Sequence, residues 1–120
     1  MKKKVMVVDD SRVMELQICK LLEGTGYEVA AYCENGEEAI ARYAEVRPDV
    51  VTMDIIMSGI DGLETTQILL REHPEAKIIM VSSLTCGGTI QEAGCIGAQG
   101  FLYKPLTQEA LLDALEKALS

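Results

Sequence analysis

Five polar side chains that could do chemistry stand at or directly after short apolar runs of this sequence. They are Asp9 and Asp10 after Val5 to Val8, Asp54 after Val50 to Met53, Ser82 after Ile78 to Val81, and Lys104 after Gly100 to Tyr103. A carboxylate placed where a buried strand ends is costly unless a cation pairs with it. Asp54 therefore requires a positively charged neighbour from elsewhere in the chain.

The three carboxylates, the ammonium and the hydroxyl have complementary chemistry if they come together. Three crowded carboxylates repel one another, and a hard divalent cation with oxygen ligands, Mg²⁺ or Mn²⁺, relieves that repulsion. Lys104 adds a compact positive charge and Ser82 a small hydroxyl donor. Such a site can receive a phosphoryl group, and a carboxylate beside it can act as the nucleophile and form an acyl phosphate.

The elements that must position these residues alternate between strand and helix. Strands are predicted at Lys4 to Val8, Val29 to Cys33, Asp49 to Asp54, Lys77 to Ser82 and Gly100 to Tyr103. Helices are predicted from a cap at Ser11 to Gly24, from Asn35 to Arg47, from Gly62 to about Leu70, from Ser83 to Ile96, and after a cap at Thr107. Strict alternation predicts an α/β fold with a doubly wound parallel sheet flanked by five helices. Sites in such sheets form outside the carboxyl ends of the strands, which gathers the five polar residues at one edge.

Composition limits the possible partners. A chain of 120 residues, 48% hydrophobic and 25% charged, fits one globular domain spanning residues 1–120. The formal net charge of -8 argues against nucleic-acid and anionic-membrane binding. The four cysteines form no CxxC pair, and the apolar run after the first lysines is too short for a signal peptide. These features predict a cytoplasmic protein with reduced thiols.

Four segments, in this order, resemble response-regulator receiver domains. They are Val7-Val8-Asp9-Asp10-Ser11, the segment from Met53 to Gly62, Ile78-Ile79-Met80-Val81-Ser82-Ser83, and Gly100-Phe101-Leu102-Tyr103-Lys104-Pro105. Each segment alone is a weak signal, but all four fall on predicted strand ends, and the resemblance extends from Val5 to Leu119. It implies a flavodoxin-like sheet with strand order 2-1-3-4-5.

The resemblance implies a role for each acidic residue of the predicted site. Asp54 matches the aspartate that a sensor histidine kinase phosphorylates. Asp9 and Asp10 match the acidic ligands of the metal ion, which Asp54 and the backbone carbonyl of Ile56 complete.

The resemblance also implies a phosphoryl-responsive switch. Ser82 matches the hydroxyl that reaches the phosphoryl oxygens, and Lys104 matches the lysine that pairs with them. Phe101 matches the aromatic side chain that turns inward when this happens. The bond between Lys104 and Pro105 is expected to be cis.

Several residues depart from the family pattern. Ser58 stands where proline is usual, and Ser83 replaces a small alanine. Ile56 and Leu84 occupy the two positions that flank the hydrolytic water, and neither side chain can orient water by a hydrogen bond. We therefore expect slow self-dephosphorylation.

The segment from Ser83 to Ile96, named here the glycine-rich segment, carries Gly87, Gly88 and Gly94. Interior glycines weaken a helix, each by about 0.5–1 kcal/mol relative to alanine. The segment is either an output element that tightens on phosphorylation or a longer loop without regulatory meaning.

The sequence predicts a stand-alone phosphoacceptor switch rather than an enzyme, because the last helix runs to Ser120. Its expected partners are a sensor histidine kinase, a phosphatase or a downstream target that binds the face formed by the glycine-rich segment, the fifth strand and the last helix. A chemotaxis-type switch and a phosphorelay intermediate both remain open. An aspartate-nucleophile Mg²⁺ phosphatase is the alternative from another class, and Ile56 argues against it, since such enzymes carry an aspartate there.

Overall fold

The computed structural model describes residues 2–55, 57, 59–82, 94 and 96–120. Its strands are β1 (Lys3–Val8), β2 (Tyr27–Cys33), β3 (Val50–Asp54), β4 (Ile78–Ser82) and β5 (Gly100–Tyr103). Its helices are α1 (Arg12–Leu21), α2 (Gly36–Val46), α3 (Gly62–Glu72) and, numbered here in chain order, α4 (Gln108–Leu119). The strands form one parallel sheet in the order β2-β1-β3-β4-β5, so the predicted fold class and strand order are confirmed.

The central strands are apolar because helices cover both of their faces. All five residues of β3 and of β4 are buried, which is the pattern of strands in the middle of a parallel sheet. One hydrophobic core, around Met53, Leu69 and Met80, lies on the side of α2 and α3. The other, around Val7, Ile18 and Leu115, lies on the side of α1 and α4.

Short polar side chains begin three of the four described helices. Asn35 and Asp61 accept hydrogen bonds from the backbone amides of Glu38 and Glu64, both at 2.8 Å, and Thr107 accepts one from Ala110. Such caps satisfy amides that have no partner inside the helix. Ser11 is the N-cap residue of α1, as predicted, but its side chain makes no capping hydrogen bond.

Other differences from the sequence prediction lie at element ends. β2 begins at Tyr27, two residues before the predicted start, because it continues the ladder with β1 as far as the pair Lys3 and Tyr27. α3 continues to Glu72, beyond the predicted end at about Leu70. The described residues contain four helices where five were predicted, and most of the glycine-rich segment lies outside them. No helix in the described part of the chain is both long and apolar enough to cross a membrane.

Candidate functional site

Three carboxylates meet at the carboxyl edge of the sheet. Asp9 directly follows β1, Asp10 is the next residue, and Asp54 is the last residue of the neighbouring strand β3. One carboxylate oxygen from each lies within 4.8 Å of the others. Asp9 and Asp54 are buried, and Asp10 is exposed. The three carboxylates predicted to meet at this edge therefore lie together in the structure.

Lys104 brings a positive charge into this cluster from the end of β5. Its Nζ lies 3.0 Å from Asp9 Oδ2 and 3.6 Å from Asp54 Oδ1. The Lys104–Pro105 peptide bond is cis, as the resemblance implied. The backbone amide of Lys104 donates to the carbonyl of Ser82 at 2.9 Å, which ties this turn to the end of β4.

Asp54 is held in an environment that disfavours its charge. Burial above all, together with the charges of Asp9 and Asp10 and against the lowering effect of Lys104, raises the pKa of Asp54 to about 6. The ammonium of Lys104 therefore does not fully offset burial and the two neighbouring carboxylates, since the net shift of the pKa remains upward.

The acidic cluster offers the donor set that a small hard cation requires. Mg²⁺ is bound through a few carboxylates with water completing the shell. Asp9, Asp10 and Asp54 supply three oxygen donors close together, and the charges of Asp9 and Asp10 add to burial in raising the pKa of Asp54. The described residues thus fit a divalent cation of this type.

Ser82 lies on β4, and Phe101 lies on the neighbouring strand β5. Ser82 ends β4 and is 2% exposed. Phe101 is half-buried on β5 and packs against the core on the side of α2 and α3. Four predicted positions, Ile56, Ser58, Ser83 and Leu84, lie outside the described residues.

The structure adds two features that the sequence prediction did not single out. The first is Gly62, at the start of α3, whose amide donates to the carbonyl of Ile55 at 2.7 Å. A side chain at Gly62 would clash with the backbone carbonyl of Asp54.

The second feature is Thr52, two residues before Asp54, whose buried hydroxyl has no hydrogen-bond partner among the described residues. In the sequence, Gly62 is marked only by its place after the capping residue Asp61, and Thr52 only as one polar residue in an apolar run.

Comparison with known proteins identifies the family. The family model of the response regulator receiver domain matches residues 5–116. The chain is 41% identical to the chemotaxis protein CheY of Listeria monocytogenes over 115 residues, which cover 96% of this chain and 97% of that protein. It is 37% identical to CheY of Thermotoga maritima over 117 residues, with 98% of both chains covered.

The fold comparison agrees with the sequence comparison. The structure superposes on a chain of the CheX-CheY-BeF3-Mg²⁺ complex of Borrelia burgdorferi with a TM-score of 0.93 and 27% identity, covering 98% of this chain and 90% of that one. The chain belongs to the response regulator receiver domain family and is closely related to the CheY chemotaxis response regulators.

Proposed function

We propose that Asp54 accepts a phosphoryl group from a sensor histidine kinase and that this modification changes which proteins the domain binds. The observation that carries the proposal is the buried carboxylate of Asp54 with the ammonium of Lys104 at 3.6 Å and two further carboxylates beside it. In this arrangement the Asp54 carboxylate can attack a phosphoryl group while the Lys104 ammonium stabilises the charge on its oxygens.

In the proposed reaction, the phosphoryl group moves from the donor's imidazole to the carboxylate of Asp54. An oxygen of Asp54 forms a bond to phosphorus, and the leaving imidazole of the donor keeps the electron pair of the broken P–N bond. Lys104 already contacts Asp9 and Asp54, so its ammonium is positioned to pair with the oxygens of the transferred group. Ser82, buried at the end of β4, supplies a hydroxyl for one of these oxygens. Charge compensation of this kind, rather than covalent help, is what phosphoryl transfer requires.

A divalent cation, Mg²⁺ or Mn²⁺, completes the proposed site. We propose that Asp9, Asp10 and Asp54 hold it together with the backbone carbonyl of Ile56. When bound, the ion would neutralise the excess negative charge and polarise the phosphoryl oxygens. The Borrelia burgdorferi neighbour was solved with Mg²⁺ and BeF3, which supports this assignment.

We further propose that the domain works as a switch and not as a turnover enzyme. Position 56, two residues after Asp54, is isoleucine and has no proton to give or take. Output then passes through protein contacts on the face of the glycine-rich segment, β5 and α4, with a phosphatase or a chemotaxis target as the partner. The structure of the Borrelia burgdorferi neighbour in complex with CheX supports a protein partner. Free thiols at Cys19 and Cys33 agree with a cytoplasmic location.

Intact-mass measurement after incubation with acetyl phosphate and Mg²⁺ tests the proposal. The wild-type chain should gain one phosphoryl group, and Asp54→Asn should gain none. Asp113→Asn, which changes an exposed aspartate of α4, should behave as the wild type. An adduct that persists in Asp54→Asn, or no adduct with either metal ion, would overturn the assignment.

A further inference from the structure

Tyr103, at the end of β5, contacts the predicted switch aromatic. Its ring centroid lies 5.2 Å from that of Phe101, with the planes tilted by 54°. Residues two apart in a strand project to the same face, so the two rings are neighbours on one face of an edge strand. Aromatic pairs at such separations attract one another beyond their simple burial.

Tyr103 is also the neighbour of the predicted switch hydroxyl. In the ladder between β4 and β5, Ser82 pairs with Tyr103 and Met80 pairs with Phe101. Paired residues of adjacent strands project to the same face, where their side chains interact. Tyr103 therefore stands beside Ser82 across the sheet and beside Phe101 along the strand.

The two rings differ in how they are placed relative to the core. Phe101 is half-buried and packs against the core on the side of α2 and α3, whereas Tyr103 is 41% exposed. If the Phe101 ring turns further inward, it moves away from an exposed neighbour and loses that contact. The contact therefore favours the half-exposed position of Phe101 over the inward one.

We infer that Tyr103 is a positioning residue that holds the Phe101 ring half-exposed and thereby sets how readily the switch responds. The inference rests on the proposed function, in which Phe101 turns inward when Ser82 engages the phosphoryl group. Because coupling between two states is reciprocal, a contact that opposes the inward position also weakens binding of a phosphoryl group or its mimic. Loss of the Tyr103 ring should tighten binding of beryllium fluoride with Mg²⁺ by roughly two- to tenfold, the factor that one aromatic pair supplies.

Fluorine NMR offers a direct readout, because Phe101 is the one phenylalanine of the chain. Protein labelled with 4-fluorophenylalanine should give a single resonance. The difference in its shift between H₂O and D₂O measures the solvent exposure of the Phe101 ring and is insensitive to the loss of a neighbouring ring current. In Tyr103→Leu without beryllium fluoride, the inference predicts a smaller solvent isotope shift than in the wild type.

Matched variants separate positioning from a structural role. Tyr103→Phe keeps the aromatic ring and should restore both the wild-type isotope shift and the wild-type affinity for beryllium fluoride. Tyr103→Val also removes the ring and should reproduce the effects of Tyr103→Leu. Valine is well suited to a strand, so this variant should keep β5 intact. Tyr27→Leu, on the opposite edge strand β2, should leave both readouts unchanged.

Three results would overturn the inference. A larger isotope shift in Tyr103→Leu would mean that Tyr103 merely covers Phe101. An unchanged affinity for beryllium fluoride would mean that the contact is not coupled to the switch, and a Tyr103→Phe variant that behaves like Tyr103→Leu would exclude the ring contact. The isotope shift without beryllium fluoride tests the positioning role by itself, whereas the acetyl phosphate adduct of the wild type tests the proposed function.

Discussion

The ammonium of Lys104 lies 3.0 Å from Asp9 Oδ2, although 95 positions separate the two residues in the chain. The side chain of Asp9 is 2% exposed and that of Lys104 is 23% exposed, so the pair is largely removed from water. Among the described residues, Lys104 is the one basic side chain paired with the acidic cluster. When no cation is bound, Lys104 is therefore the basic group in the described part of the chain that offsets the repulsion among these carboxylates.

Replacing Lys104 by methionine should destabilise the metal-free protein. Removing one partner of a buried ion pair leaves uncompensated charge, and Lys104→Met should lower the free energy of unfolding by about 2–3 kcal/mol at neutral pH. Saturating Mg²⁺ should recover much of this loss, because a cation that binds the folded state stabilises it. Urea unfolding with chelator and with Mg²⁺ measures both effects.

A matched control for this variant lies on α4. Lys117 pairs with Asp113 at 3.0 Å, but the two side chains are 75% and 61% exposed. Lys117→Met should change stability by less than about 0.5 kcal/mol, as expected for an exposed pair. Equal stability of Lys104→Met and the wild type in chelator would contradict the importance of the buried pair.

The pKa of Asp54 predicts that Asp54→Asn stabilises the metal-free protein near neutral pH. Burial and the neighbouring carboxylates raise the pKa of Asp54 from 3.8 to about 6. The folded state then binds a proton more tightly than the unfolded state, so this group lowers stability as pH rises from about 4 to about 6. Above that window Asp54→Asn should be more stable than the wild type by up to about 3 kcal/mol, at about 1.4 kcal/mol per pH unit.

The pH dependence of the difference provides the check. The advantage of Asp54→Asn in chelator should shrink as pH falls through 6 and should vanish near 4, where wild-type Asp54 is protonated. Asp113→Asn, which removes an exposed carboxylate of α4, is the control measured over the same pH range. An advantage that grows on acidification would have the wrong sign.

The position of the candidate site could be predicted because apolar runs mark strand ends. Asp54 and Ser82 are strand-terminal residues, and parallel strands necessarily bring their carboxyl ends to one edge. The order of the strands came from the resemblance, since alternation of strand and helix alone does not fix which strands are neighbours. The strand ends, and the edge of the sheet at which they meet, could therefore be predicted because local sequence pattern and topology determine them.

Tertiary contacts determine the details that the sequence did not predict. Tyr27 and Glu28 belong to β2 because they pair with Lys3 and Lys4, which lengthens the strand beyond its predicted start at Val29. At Ser11, the backbone amide donates to Asp9 Oδ1 at 2.8 Å, whereas its side chain makes no cap. Both outcomes depend on partners that are brought in by folding.

Thr52 predicts a stabilising substitution in β3. Its side chain is buried, at 2% exposure, and its hydroxyl has no hydrogen-bond partner within the described part of the chain. An unsatisfied buried hydroxyl costs about 1–3 kcal/mol, so Thr52→Val should raise the free energy of unfolding by about 1 kcal/mol. Thr65 is the matched control: it is also fully buried, but its hydroxyl donates to the Asp61 carbonyl at 2.8 Å.

Thr65→Val should therefore lower stability by about 1 kcal/mol, opposite in sign to Thr52→Val. Denaturant unfolding of both variants at one pH measures the difference. A Thr52→Val protein less stable than the wild type would show that the hydroxyl is satisfied in solution.

Position 62 requires glycine because the backbone of α3 begins there in close contact with the backbone carbonyl of Asp54. A methyl group there would clash with the Asp54 carbonyl and lie 2.8 Å from the α-carbon of Ile55. Because backbone atoms cannot yield as a flexible side chain can, Gly62→Ala should cost about 2–3 kcal/mol and slow phosphorylation by acetyl phosphate. Gly26→Ala, where nothing lies within 4 Å, should leave stability and phosphorylation rate unchanged, and equal behaviour of the two variants would refute the requirement.

The residue at position 56 predicts the lifetime of the phosphoryl group. From the resemblance to receiver domains, Ile56 is expected to flank the hydrolytic water, and an isoleucine side chain cannot orient water by hydrogen bonding. Ile56→Asn should therefore accelerate loss of the phosphoryl group by about tenfold, the effect of one additional hydrogen bond of about 1.4 kcal/mol in the transition state. Ile56→Leu keeps the apolar character and should decay at the wild-type rate. Decay of the acyl phosphate, followed by intact mass after removal of acetyl phosphate, compares the three proteins, and identical rates for Ile56→Asn and the wild type would show that water orientation at this position does not limit hydrolysis.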